Sequence, residues 1–214
     1  MDETLRITEI FRSIQGESTY VGFPCAFVRL TGCSLRCVWC DSAYAFFGGS
    51  EMPVSEAAEK TLALGCDLVE VTGGEPLEQE GVYPLMERLL GAGRTVLLET
   101  GGHVLLDRVD PRVVKIVDVK APGSGMQSAN LPENLALLNA KDELKFVLAD
   151  RRDFDWAIDV VRARELDSKN VVTFSPVWEG LSAADLAGWI RDSRRNVRLG
   201  LQLHKLLWGD VPGR

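Results

Sequence analysis

The chain has 214 residues, enough for one substantial α/β domain and too few for two of ordinary size, so a single domain over residues 1–214 is expected. Hydrophobic residues make up 46% and charged residues 26%, the balance of a soluble globular protein, and the net charge of −7 speaks against a nucleic-acid surface. No apolar run approaches the roughly 20 residues of a membrane helix, and MDETLRITEIF lacks the basic-then-apolar plan of a signal peptide. A cytoplasmic protein without membrane contact is therefore expected. There, disulfides are disfavoured, and an odd count of five cysteines reads as ligands, reactive thiols or buried thiols.

Apolar alternation predicts a strand over Leu5–Phe11, a turn at Gln15-Gly16-Glu17 and a second strand over Ala26–Leu30. After a cysteine-containing loop, Pro53 and Ser55 start a helix to about Leu64, followed by a strand over Leu68–Thr72 that Gly73 and Gly74 break. Helix spacing over Val82–Ala92 leads to strands over Thr95–Glu99 and Val113–Val119. The series then runs helix Leu131–Leu138, strand Glu143–Leu148, helix Phe154–Arg164, strand Val171–Ser175, helix Ala183–Asp192 and strand Val197–Gln202. Arg191, Arg194, Arg195 and Arg198 read as a solvated helix end.

Strands alternating with helices pair in parallel through crossovers, so the expected fold class is α/β, a partial TIM-like parallel β/α barrel. Polar and Gly-rich residues recur just after the strands, where barrel sites are built. Gly73 with Glu75, Thr100 with Gly101, Asp118 with Lys120, Ser175 with Pro176, and Gln202 with His204 are expected at one mouth.

The loop after Ala26–Leu30 carries Cys33, Cys37 and Cys40 at C-x3-C-x2-C spacing, which brings three soft thiolates together. A cluster of four irons with three protein ligands leaves one iron open. Zinc is the competing reading, although it wants a fourth ligand that no nearby residue supplies, and unligated thiols are the remaining one. Cys25 and Cys66 read as small buried residues.

This triad, with Trp39 before its last cysteine, and the motif Gly73-Gly74-Glu75-Pro76 resemble the signatures of radical S-adenosylmethionine enzymes. Within that superfamily the chain is most similar to the 7-carboxy-7-deazaguanine synthase family. The similar segments are FRSIQGES, FVRLTGCSLRCVWCDS, VTGGEPL, LLETGG, VDVKAPGSGM, LKFV, FSPV and LQLHKLLWGD. The resemblance implies a 4Fe-4S cluster on Cys33, Cys37 and Cys40, and S-adenosylmethionine contacted by Gly73, Gly74, Glu75, Lys120, Ser124 and Ser175. It implies a pterin substrate, 6-carboxy-5,6,7,8-tetrahydropterin, contacted by Gln15, Gly16, Glu17, Arg29, Thr100 and His204. It also implies Mg2+ at Ser42, where many relatives carry Thr, with Asp41 supporting it from behind.

The implied reaction is radical ring contraction with loss of ammonia on the route to queuosine, with no protein residue acting as the chemical catalyst. The implied partners are a flavodoxin or ferredoxin as electron donor and a second copy of the chain in a homodimer. Gly102 departs from the polar side chain usual there, so backbone contacts are expected from Gly101-Gly102-His103. A glycyl-radical activating enzyme, or a non-catalytic zinc or iron-sulfur module, stands as the alternative.

Overall fold

The computed structural model describes residues 3–213. Met1, Asp2 and Arg214, the extremes of the N-terminal stretch and C-terminal tail read above, lie outside them. The strands are β1 (Thr4–Ile14), β2 (Pro24–Leu30), β3 (Ser50–Pro53), β4 (Leu68–Gly73), β5 (Thr95–Thr100), β6 (Val114–Asp118), β7 (Glu143–Leu148), β8 (Val171–Pro176) and β9 (Arg198–Leu199). The helices are α1 (Val54–Ala63), α2 (Val82–Gly91), α3 (Arg151–Arg164), α4 (Ala183–Ser193) and α5 (Leu203–Trp208). The strands form one sheet in the order β3-β1-β2-β4-β5-β6-β7-β8-β9. From β2 to β9 every pair is parallel, whereas β1 is antiparallel to both β2 and β3. The sheet is an open, partial barrel with β3 and β9 at its edges.

Two apolar layers follow from strand alternation, which sends neighbouring side chains to opposite faces. Outward residues such as Val69, Val71, Leu98, Phe146 and Phe174 pack against the helices in the main core. Phe174 meets Phe146 and Phe154 with ring centroids 5.3 and 5.8 Å apart, and Phe154 meets Trp189 of α4 at 5.6 Å. Inward residues Phe27, Leu68, Leu97, Val114 and Ile116 form a second cluster that plugs the lower barrel, capped by Phe11 and Tyr20. Higher on the same inward faces stand Glu70, Glu99, Asp118, Lys145 and Ser175, so the inner surface turns polar toward the strand C-termini.

Three expectations need correction. Leu131–Leu138 forms no α-helix; Pro132–Leu137 is a 3-10 segment. It is pinned by buried Asn134, whose amide donates to Gly102 and Val104 carbonyls and accepts from Leu106 N–H. The last strand shrinks to Arg198–Leu199, because Leu203 N–H turns to the Gly16 carbonyl and starts α5. The edge strand β3, too short to show alternation, was not anticipated.

At the lower pole, Lys115 of β6 and Asp142 before β7 are both buried and joined at 2.8 Å. Burial alone would raise the Asp142 carboxyl, but Asn139 N–H and Lys115 outweigh it and hold the carboxyl below its ordinary value. This contribution is present above the ordinary carboxylate range and fades as pH falls through the lowered value. Asp142→Ala leaves Lys115 buried and unpaired, with an expected loss of about 3–5 kcal/mol. Urea unfolding at neutral pH measures it.

Candidate active site

A cavity of about 560 Å3 opens at the C-terminal ends of the parallel strands. Its wall contains Cys33, Cys37 and Cys40, half-buried and unbridged, on the loop after β2. The loop is held by its neighbours: Val38 N–H donates to Ser124 O at 3.1 Å, and Glu75 N–H to Gly32 O at 2.8 Å. Burial raises all three thiols, Cys33 to about 11, and a bound metal would favour their thiolate forms. Among the described residues no three His, Cys, Asp or Glu side chains converge on a single ion. Three soft donors without a fourth suit a cluster that keeps one iron open better than a closed zinc site.

The Gly73-Gly74 turn lies directly against this loop. Gly73 has φ +140°, and a Cβ on it would lie 2.3 Å from Leu30 O; one on Gly74 would lie 1.9 Å from Gly32 O. Glycine is therefore required at both positions by close backbone approach. Glu75 departs from expectation. It is fully buried and absent from the cavity wall, because its carboxylate accepts from Leu77 N–H, Thr100 Oγ1 and Gly101 N–H. Glu75 thus ties β4 to β5, and only the glycines face the cavity. Thr100 lines the cavity, with its hydroxyl donated to Glu75 and accepting from Gly102 N–H.

The two N- and C-terminal stretches meet. Leu203 N–H donates to Gly16 O at 2.9 Å, and a Cβ on Gly16 would lie 2.1 Å from His204 Nδ1. Burial lowers the His204 imidazole despite Glu17 and Asp41 nearby, favouring its neutral form. Gln15 and Glu17 are enmeshed in a network. Gln15 Nε2 donates to Glu70 Oε2, and Glu17 pairs with Lys145, whose ammonium also meets Glu99 at 2.8 Å. Gln202 Nε2 donates to Glu17 at 3.0 Å and to Asp41 at 2.9 Å.

Asp41 accepts from Ser42 Oγ at 2.9 Å. Burial on its own would raise this carboxyl, but Lys145 and Lys205 carry it down to about 2. Arg29 lines the cavity, uses Nε on Glu9 at 2.7 Å and lies 5.7 Å from the Tyr44 ring centroid. Lys120 also lines the cavity, paired with Asp118 at 2.8 Å. Ser124 is a loop-capping residue, since its hydroxyl donates to Ala121 O and accepts from Met126 N–H. Ser175 lies in the wall of β8. Of the Gly101 to His103 loop only Gly101 lines the cavity, and His103 turns to Glu78, with Nε2 at 3.0 Å.

With this geometry in view, the radical SAM superfamily model matches residues 27–192. The 7-carboxy-7-deazaguanine synthase of Koribacter versatilis is 48% identical over 95% of this chain and 97% of its own. That of Chlorobaculum tepidum is 45% identical over 95% and 94%. The chain belongs to the radical SAM superfamily and, within it, to the 7-carboxy-7-deazaguanine synthase family. The crystal structure of QueE from Escherichia coli superposes with TM-score 0.77 at 24% identity, over 94% of this chain and 95% of that one, which shows the shared fold.

As a radical SAM enzyme the chain has a site that fits the family's 4Fe-4S cluster and S-adenosylmethionine: three soft donors beside a glycine turn, opening on a cavity. Sequence reasoning missed Glu70, Glu99 and Lys145 in the inner wall, and it left open the role of the tail, whose residues Asp210–Gly213 lie at the rim. The signal was present in LVEVTG, LLET and LKFV, where single charges interrupt apolar parallel strands.

No helix among the described residues is long and apolar enough to cross a membrane.

Gly74→Ala is expected to lose most of its iron and its visible absorption after anaerobic reconstitution, although all three cysteines remain. Gly91→Ala, at a helix end with nothing within 4 Å of the added carbon, serves as the neutral control.

Proposed function

We propose that this chain is a lyase that converts 6-carboxy-5,6,7,8-tetrahydropterin to 7-carboxy-7-deazaguanine with release of ammonia, in queuosine biosynthesis. The observation that supports it is one cavity whose wall joins the three thiols and the Gly73-Gly74 turn to Gln15, Gly16, Glu17, Arg29 and His204. A cluster site alone suits any member of the superfamily, whereas the opposed polar wall suits a small, hydrogen-bonding, carboxylated ring.

Bound cluster and cosubstrate supply a 5′-deoxyadenosyl radical able to remove hydrogen from carbon 6 of the pterin. The residues do the positioning. Gly73 and Gly74 let the cosubstrate approach backbone groups, and Lys120 and Ser175 stand where its polar groups would reach the wall, with Ser124 shaping the loop beside them. Arg29, already oriented through Nε by Glu9, offers its terminal nitrogens to the substrate carboxylate.

The His204 and Gly16 contact closes the wall around the substrate's pyrimidine half, with Thr100 at the same mouth. Ser42 supplies one hard oxygen for Mg2+, with Asp41 hydrogen-bonded behind it and the substrate carboxylate completing the site. A lone hydroxyl is a weak ligand, so Mg2+ binding is expected to depend on substrate. The electron donor in this reading is a flavodoxin or ferredoxin, as in the family the chain resembles. The assembly is a cytoplasmic homodimer.

Reconstituted enzyme with carboxytetrahydropterin, S-adenosylmethionine, Mg2+ and dithionite is expected to yield 7-carboxy-7-deazaguanine and ammonia, followed by chromatography. A preparation that forms 5′-deoxyadenosine but no deazaguanine would overturn the assignment. Arg29→Lys, which removes the planar fork, is expected to raise KM for the pterin by about tenfold or more, the scale of a charge-assisted hydrogen bond.

A further inference from the structure

Glu70 is an acid of the cavity wall that the reading above does not use. It projects from β4 into the cavity wall, only 4% exposed. From β2 it faces Cys25 and Arg29, from the loop after β1 Gln15 and Glu17, and from β5 Glu99, which Lys145 of β7 holds. Arg29 is paired with Glu9 at 2.7 Å. Lys145 is shared by Glu17 and Glu99. The four carboxyls Glu9, Glu17, Glu70 and Glu99 thus face two cations, and Glu70 alone forms no ion pair among the described residues. A buried carboxylate without a cation is costly, and the cheaper state is the neutral acid.

Gln15 is held from both sides. Its Oε1 accepts from Glu17 N–H at 3.0 Å, a backbone donor that cannot reverse. That fixes the amide, so Nε2 must donate, and it donates to Glu70 Oε2. One Glu70 oxygen thereby accepts from Gln15, while a proton on the acid is available to neighbouring Glu99. We propose that Glu70 is a positioning residue that works as the neutral acid, locking the Gln15 amide in the orientation that faces the substrate without adding a further negative charge to the floor. The proposal rests on the assignment of Gln15 to a carboxylated pterin. An anionic substrate gives the cavity a reason to keep this acid neutral, since like charges disfavour ionisation. Burial first, and Glu99 next, push the Glu70 carboxyl well above its ordinary value.

The test has two arms. Infrared difference spectra of the holoenzyme, without substrate, are expected to show a protonated carboxyl band at neutral pH that is absent from Glu70→Gln; a wild type without that band overturns the proposal. In the second arm, binding of 6-carboxypterin, which has no hydrogen to lose at carbon 6, is titrated by its fluorescence across pH. Wild-type affinity is expected to fall as pH rises through the raised value and Glu70 ionises.

Glu70→Leu is expected to bind about tenfold or more weakly, the scale of leaving the Gln15 amide unpaired. Glu70→Gln keeps an acceptor for Gln15 and a donor for Glu99, and is expected to recover most of that affinity with no alkaline loss. A Glu70→Gln variant as weak as Glu70→Leu, or one with the wild-type alkaline limb, overturns the proposal. Because the infrared arm needs no substrate and wild-type turnover of carboxytetrahydropterin is measured separately, failure of the substrate reading is distinguishable from failure of this one.

Discussion

Two backbone segments, the one that carries the cysteines and the one that carries the paired glycines, lie so close that no side chain fits between them. Glu75 N–H reaches Gly32 O at 2.8 Å and Gly74 N–H reaches Leu30 O at 3.1 Å, so the two strand ends are joined past the end of their ladder. This contact sets where the first thiol stands relative to the exposed backbone of the turn. Glu75 extends the constraint by accepting from Thr100 and Gly101, which adds the end of β5 to the same unit. A cluster site and a cosubstrate site built on three adjacent strand ends need little else to hold their spacing.

Around that unit the inner surface of the barrel is organised by charge. Low on the strands it is apolar and closed, and higher up it carries several acids balanced by few cations. Lys145 is the centre of this balance, buried yet held charged because Glu17 and Glu99 outweigh the burial that would lower it. Gln202 extends the chain of contacts from Glu17 to Asp41, and so from the floor to the cluster loop. A network of this kind holds orientation in a low-dielectric wall, and each unsatisfied member in it would be expensive. It also links the N-terminal turn, the cluster loop and the C-terminal segment, which are far apart in the sequence.

Much of this was legible in the sequence. Strand positions from Leu68 onward were marked by apolar runs ended by glycine or polar residues, and the cluster loop by its cysteine spacing. Legibility failed where the deciding partner is remote. Glu75 reads as a ligand for an ammonium when seen beside Gly74, but three donors from its own turn and β5 consume its carboxylate. Leu131–Leu138 reads as a helix by its leucines, but buried Asn134 binds backbone groups 28 to 32 residues away and holds a 3-10 segment. The two-residue β9 and edge strand β3 were too short to carry a period. Ser124 lines the cavity and also caps its own loop through Ala121 O.

The open sheet explains why the ends of the chain matter. A closed barrel surrounds its mouth with strands, whereas here β9 is short and β3 lies on the other edge, so the mouth lacks a continuous wall. The gap is filled by non-strand chain. The turn at Gln15 to Glu17 and α5 lean on each other through Gly16 and His204, a packing that a side chain at position 16 would prevent. Residues Asp210–Gly213 then follow α5 to the rim of the cavity. Lys205, buried and 3.0 Å from Asp210, ties that last segment to the helix and also lies 3.8 Å from Asp41 of the cluster loop. The cavity is therefore enclosed because the turn after β1 and the segment from α5 to Gly213 complete the wall that an open sheet leaves.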